Sequence, residues 1–353
     1  MSNNLADAQE LLQSDKAAQA TIEQSACNQS EWLGIHTSRR RSNLGFIRTD
    51  TLQLENFALL HGGNLPPCSV NFNCYGTSDK PVLLVLGGIS ASRNIHEWWT
   101  TLWGSQQLFD LEKYYIIGMD YIADSNSESV NLISTFDQAK VINQLLQQLN
   151  INKLEAIVGG SYGGMVAQAF AAVYPQKLNK LVAIAAAHTN TQRSIALRQI
   201  QQQILHLGQK VGRASEAVSI ARQIGCVTYR SEHELENRFE PLRQIEGQTL
   251  TFDIVKYLKH QGEKFAAYFD SDRYRSLSQS IDLHRVNPKD IVSDALFIGI
   301  ESDQLVPSEL VRECASLCKG KTHFYSIDSE FGHDGFLLEG EQLTKLISKF
   351  LRE

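Results

Sequence analysis

The sequence predicts an α/β fold, a mostly parallel central sheet flanked by helices and interrupted by a helical lid. Three observations carry this. Short, continuous apolar runs recur, as expected of parallel strands buried on both faces, and segments of helical periodicity lie between them. One run, Ala156-Ile157-Val158, stops abruptly at Gly160-Ser161-Tyr162-Gly163, and a helix-compatible segment from Met165 to Val173 follows. Between residues 189 and 290 the strand pattern vanishes from a Gln-, Arg- and Ala-rich stretch, and it returns at Ala295.

Taken in order, residues 1–35 are rich in Ala, Gln, Ser and Asp, poor in large apolar groups, and read as a mobile tail. The basic cluster Arg39–Ser42 reads as solvated surface. The core is expected over 36–188 and 291–353, with the lid between them. Segments around Leu52–Phe57 and Ser69–Tyr75, split by turn residues, suggest antiparallel strands at a sheet edge. Pro81–Leu86 reads as a buried strand ending in the small-residue loop Gly87–Arg93, the carboxyl end at which open α/β sheets bind ligands. Trp98, Trp99 and Trp103 read as core or loop anchors. Tyr114–Met119 is a strand, and Ser134–Leu149 has helical spacing with Ser134 or Thr135 as N-cap. Lys180–Ala185, Ala295–Ile300 and Phe324–Ile327 read as strands. Ile195–Leu207, Ser215–Ile224 and a closing amphipathic segment, Glu341–Leu351, read as helices.

The chain has 353 residues, 42% apolar and 20% charged, ordinary proportions for a globular protein. A net charge of −6 argues against nucleic acid or an anionic membrane as the partner. No apolar run is long enough to span a bilayer, and the N-terminus has neither a basic start nor an apolar core of a signal peptide. Six cysteines without a dense framework fit free thiols in the cytoplasm. Cys314 and Cys318 lie one helical turn apart, but nothing nearby completes a zinc site, so no metal is expected.

The strand–turn–helix at Ser161 has the G-x-S-x-G form of a nucleophile elbow, with Gly159 and Gly164 as further small residues around the turn. A serine hydroxyl needs a base, and the base an orienting group. Asp303 follows the strand ending at Ile300, and His333 lies between Gly332 and Gly335 after the strand ending at Ile327. All three fall on one rim of the sheet in the order nucleophile, acid, histidine. His188 is a rival base and Glu301 a rival acid. The oxyanion hole is expected from the backbone N–H of Tyr162 and one donor from the loop after Leu86, Ile89 or Gly88.

With these residues placed, the chain resembles the homoserine O-acyltransferase family of the α/β-hydrolase fold, from about residue 50 to the C-terminus. The likeness is clearest in Val158–Met165, Thr228–Ser231, Asp282–His284, Ser302-Asp303 and Gly332–Glu339. The resemblance implies a Ser161–Asp303–His333 triad, with Arg230 and Asp334 holding the carboxylate and ammonium of homoserine. It also implies acyl-CoA as co-substrate, no bound cofactor, a role in methionine biosynthesis and a homodimer joined through the lids. Gly87-Gly88-Ile89-Ser90-Ala91, where many members carry a His-Ala-Leu-Thr-Gly type loop, and Tyr162, where many have methionine, resemble the succinyl-transferring branch. Arg93 beside that loop is a candidate partner for a succinyl carboxylate, or a surface residue. Acetyl transfer, a serine esterase or thioesterase, and a non-catalytic binding protein are the competing readings.

Overall fold

The computed structural model describes residues 47–125, 131–246 and 249–353. The readings made for residues 1–35 and Arg39–Ser42 lie outside them. Two antiparallel strands, β1 (Ile47–Leu54) and β4 (Cys68–Tyr75), form one sheet edge, with the two-residue strands β2 (Phe57–Ala58) and β3 (Asn64–Leu65) between them in sequence. The parallel strands are β5 (Val82–Leu86), β6 (Tyr115–Met119), β7 (Leu154–Gly160), β8 (Leu178–Ile184), β11 (Asp294–Ile300) and β12 (Thr322–Ile327). The sheet order is β1-β4-β6-β5-β7-β8-β11-β12. The short helix α1 (Ile95–Trp98) follows β5.

Alternation along the buried strands sends side chains into two cores. Leu84, Leu86, Ile117, Ile157, Leu181 and Phe297 face one side, against helices α2 (Thr135–Gln148) and α3 (Tyr162–Val173). Leu83, Val85, Ile116, Val158, Val182 and Ile298 face the other, against Trp99 and Phe109. This two-sided burial is why the strands read as unbroken apolar runs. Ser134 caps α2 in a reciprocal box with Asp137, a local device worth about 1 kcal/mol.

From 189 to 290 the chain forms α4 (Gln192–Lys210), α5 (Ala214–Tyr229), α6 (Glu232–Arg238), α7 (Asp253–Ala266) and α8 (Ser271–Asp282). One expectation fails here. A hairpin of β9 (Arg243–Glu246) and β10 (Thr249–Phe252) interrupts the helices. Each strand is four residues long, and the paired Ile245 and Leu250 are 72% and 58% exposed, so no core imprints an alternation on the sequence. The segment returns to the core at His284, which is buried between the Thr135 hydroxyl (2.9 Å) and the Ala187 carbonyl (3.1 Å). Burial pushes its pKa down to about 3, so the ring is neutral and serves packing. Helix α9 (Ser308–Leu317), the short helix α10 (Gly335–Leu338) and α11 (Gly340–Arg352) complete the chain. Cys314 Sγ donates to Gln168 Oε1 and Cys318 Sγ to the Cys314 carbonyl. Among the described residues no group of three or more His, Cys, Asp or Glu is placed to hold a metal ion, and no helix is long and apolar enough to cross a membrane.

Candidate active site

Ser161 joins β7 to α3 with φ 53° and ψ −121°, a left-handed conformation that costs a non-glycine residue roughly 1–3 kcal/mol. The turn survives because its surroundings leave no alternative. The Ser161 N–H donates to the Ile184 carbonyl at 2.8 Å. A Cβ on Gly159 would strike the Gly163 backbone, and one on Gly163 would meet the Gly87 carbonyl oxygen at 2.7 Å. Strand, helix and the 87–89 loop therefore close to a distance only glycine allows.

His333 Nε2 lies 2.8 Å from Ser161 Oγ, and His333 Nδ1 lies 2.6 Å from Asp303 Oδ2. The arrangement assigns the Nδ1 proton to the carboxylate side and leaves Nε2 to accept from the serine. The other Asp303 oxygen accepts from the N–H groups of Leu305 (2.8 Å) and Val306 (2.9 Å), which locks the carboxylate in place. Burial opposes a charged imidazole at His333. The charge and hydrogen bond of Asp303, helped by the charge of Asp334, outweigh it and hold the pKa above its ordinary 6.5. The rivals stand elsewhere. Glu301 is exposed, and His188 has a buried Nδ1 without a partner and makes no bond to Ser161 among the described residues. Burial pushes the His188 pKa down.

Tyr162 opens α3, where first-turn N–H groups lack intrahelical partners. Its ring is buried, with its hydroxyl 2.7 Å from Ser280 Oγ, so the side chain is structural and the backbone faces the turn. Ile89 is 8% exposed, in a loop held by the Tyr121 hydroxyl on the Gly87 carbonyl (2.7 Å) and by Ala91 N–H on the Gly88 carbonyl (3.0 Å).

Arg230 follows α5 and is brought to His333 by a close docking. Gly332, at φ 62°, has no room for a Cβ, which would meet Ser231 N at 2.6 Å and Tyr229 O at 2.7 Å. The Ser231 hydroxyl donates to the Glu330 carbonyl across the same seam. Arg230 Nε lies 3.3 Å from Asp334 Oδ2, and Nη1 lies 2.7 Å from Glu234 Oε1. The second Glu234 oxygen is buried without a partner.

Sequence reasoning missed Glu234, and also Tyr229, whose ring lies 6.0 Å from that of His333. Trp98 and Phe336 wall the other side, with Phe336 edge-on to His333 at 5.4 Å. Their spacing alone carries no signal of that meeting. Arg93 lies beside the Gly87–Ala91 loop, part-exposed, with its Nη1 and backbone N–H each 2.8 Å from an oxygen of Asp120.

With the geometry in place, comparison with known proteins is informative. A family model described as the alpha/beta hydrolase fold matches residues 81–340. The chain is 28% identical to a homoserine O-acetyltransferase of Methanococcus vannielii, over 89% of this chain and 75% of the relative. It is 29% identical to a homoserine O-succinyltransferase of Xanthomonas campestris pv. campestris, over 84% and 82%. Among solved structures, a homoserine O-acetyltransferase from Bacillus anthracis superposes with a TM-score of 0.78 at 18% identity, covering 87% of this chain and 98% of that one. Esterase E22 superposes at 0.77 with 17% identity, covering 87% and 100%. These structural likenesses speak to the fold.

Proposed function

The chain belongs to the α/β-hydrolase fold family, and from that premise we propose that it is an acyltransferase carrying an acyl group from acyl-CoA to the hydroxyl of L-homoserine. The observation that carries the reading is the bonded series Ser161–His333–Asp303 with an arginine and a carboxylate, Arg230 and Asp334, at its flank. An esterase needs the first set. An amino-acid acceptor also needs a cation for its carboxylate and an anion for its ammonium.

In this reading His333 takes the Ser161 proton as Oγ attacks the thioester carbonyl. The oxyanion rests on the Tyr162 N–H and a donor from Gly88 or Ile89. Coenzyme A leaves as the thiol, protonated by His333. The homoserine hydroxyl then gives its proton to the same histidine, attacks the acyl-serine, and releases the O-acyl ester and free Ser161. Tyr229, Phe336 and Trp98 exclude water, the competing acceptor. The product would serve methionine synthesis in the cytoplasm. A homodimer joined through the lids belongs to the same reading, supported by the exposed Ile200 and Leu207 on α4.

For the donor we favour succinyl-CoA. The Gly87–Ala91 loop and the Xanthomonas relative support it, while the Methanococcus relative supports acetyl-CoA. CoA release measured with each donor, with and without L-homoserine, tests the proposal. Homoserine-dependent release is expected, faster with succinyl-CoA. Faster release with acetyl-CoA would reverse the donor, and release indifferent to homoserine would favour an esterase or thioesterase.

The raised pKa of His333 gives a pH prediction. The base must be neutral, so kcat/KM should fall as the pH drops through a value above 6.5. The linked stability runs the other way: favoured protonation in the folded state stabilises fully below 6.5 and is lost as pH rises through the higher folded value. Opposite trends in a kcat/KM profile and in thermal unfolding would bear this out, and an acid limb below 6.5 would contradict it.

A further inference from the structure

Two consecutive residues that follow β6 anchor the Gly87–Arg93 loop at both ends. At its start the Tyr121 hydroxyl donates to the Gly87 carbonyl at 2.7 Å. At its end the Arg93 backbone N–H donates to Asp120 Oδ1 at 2.8 Å. The anchors are themselves fixed. The Asp120 N–H donates to the Asn71 carbonyl at 2.9 Å, and Arg273 Nη1 to the Tyr121 carbonyl at 3.2 Å. Tyr121 is buried, and burial pushes its pKa well above the ordinary tyrosine range, so the hydroxyl keeps its proton and stays a donor.

The bond to Gly87 matters because of the other end of that peptide. A trans peptide is planar, and its N–H and C=O point in opposite directions. Pinning the Gly87 oxygen therefore fixes the direction of the Gly88 N–H. The next plane is held in the same way, since the Ala91 N–H on the Gly88 carbonyl at 3.0 Å fixes the direction of the Ile89 N–H. Neither the Gly88 nor the Ile89 N–H makes a hydrogen bond among the described residues. Two backbone donors are thus aimed and left open, as stabilisation of a developing oxyanion requires.

The same tyrosine reaches the other half of the hole. Its ring meets the Tyr162 ring edge-on at 4.8 Å. The Gly87 oxygen that its hydroxyl holds lies 2.7 Å from where a Cβ on Gly163 would stand. The first loop peptide is wedged between the Tyr121 hydroxyl and the first turn of α3, next to Ser161. We propose that Tyr121 is a positioning residue for the oxyanion hole. Through the Gly87 carbonyl it sets the aim of the loop donor, and through its ring it keeps that donor in register with the Tyr162 N–H. The inference rests on the reading of Ser161 as nucleophile and holds for either acceptor, homoserine or water.

Tyr121→Phe removes the hydroxyl and keeps the ring. Its kcat should fall roughly 10-fold or more with either acyl-CoA, short of the 100- to 1000-fold that deleting a donor outright costs. The KM for L-homoserine and the acid limb of the pH profile should stay as in the wild type, because Arg230, Asp334 and His333 lie outside the change. Labelling of Ser161 by a fluorophosphonate, whose phosphonyl oxygen enters the same hole, should slow by a similar factor. Ser276→Ala is the control. It removes another buried bond to the segment after β6, from the Asp124 N–H to Ser276 Oγ at 2.9 Å, without touching the loop, and should lower only the unfolding temperature. Placing para-aminophenylalanine at Tyr121 returns a donor to Gly87 and should recover most of the rate, which decides the matter if Tyr121→Phe fails to fold. Unchanged kcat and labelling in Tyr121→Phe, or an equal loss in Ser276→Ala, would overturn the positioning role. CoA release that ignores homoserine would overturn the acyltransfer reading alone, and a matching loss of thioester hydrolysis in Tyr121→Phe would still uphold the role of Tyr121.

Discussion

Replacing Ser161 with alanine should lower homoserine-dependent CoA release by about 10⁴-fold or more, with the fold intact. The magnitude follows from the way triads act as a unit: losing the nucleophile removes nearly everything the base and its orienter contribute. Ser161→Ala/His333→Ala should therefore be scarcely slower than Ser161→Ala alone. Because Ser161 occupies a strained φ of 53°, the alanine variant keeps the strain and loses only the hydroxyl. Steady-state CoA release and the unfolding temperature, measured together, check both statements. A loss of less than 10-fold would mean that another group attacks the thioester.

The second large effect concerns Arg230. Arg230→Met should raise the KM for L-homoserine by roughly 100-fold or more, the scale of losing a buried, charge-paired contact. Acylation of Ser161 should suffer much less than transfer to homoserine, because in the proposed reaction the arginine serves the acceptor. The same substitution leaves Asp334 without its cation and Glu234 with only Arg238, 3.5 Å away, a stability cost of about 3 kcal/mol, the lower end for a broken buried pair. Arg230→Lys separates the two effects. It keeps a charge near both carboxylates but loses the planar two-pronged grip, so it should restore folding more fully than it restores the homoserine KM. Restoration of both in parallel would indicate a structural arginine.

The contrast between these residues explains what the sequence discloses. Ser161, Asp303 and His333 each end or follow a strand of a parallel sheet, and the carboxyl ends of such strands share one rim. Their order and spacing along the chain therefore suffice to bring them together. Arg230 lies between two lid helices whose packing over that rim depends on particular meetings, such as Gly332 against Tyr229 and Ser231. No periodicity records those contacts, and only the family resemblance points to Arg230. Arg93 sits beside the Gly87–Ala91 loop in the sequence, and Asp120, 27 residues on at the end of the adjacent strand β6, meets both its side chain and its backbone N–H. The β9–β10 hairpin was invisible because its apolar residues face outward.

The central claim is that Ser161 carries the acyl group and hands it to homoserine. Intact-mass measurement of the protein mixed with succinyl-CoA tests it most directly. The account predicts a mass increase of one succinyl group, located on Ser161, absent from Ser161→Ala, and discharged on adding L-homoserine as the O-succinyl ester appears. A mass increase at another residue, or an acyl-enzyme that decays to free succinate at the same rate with and without homoserine, would contradict it.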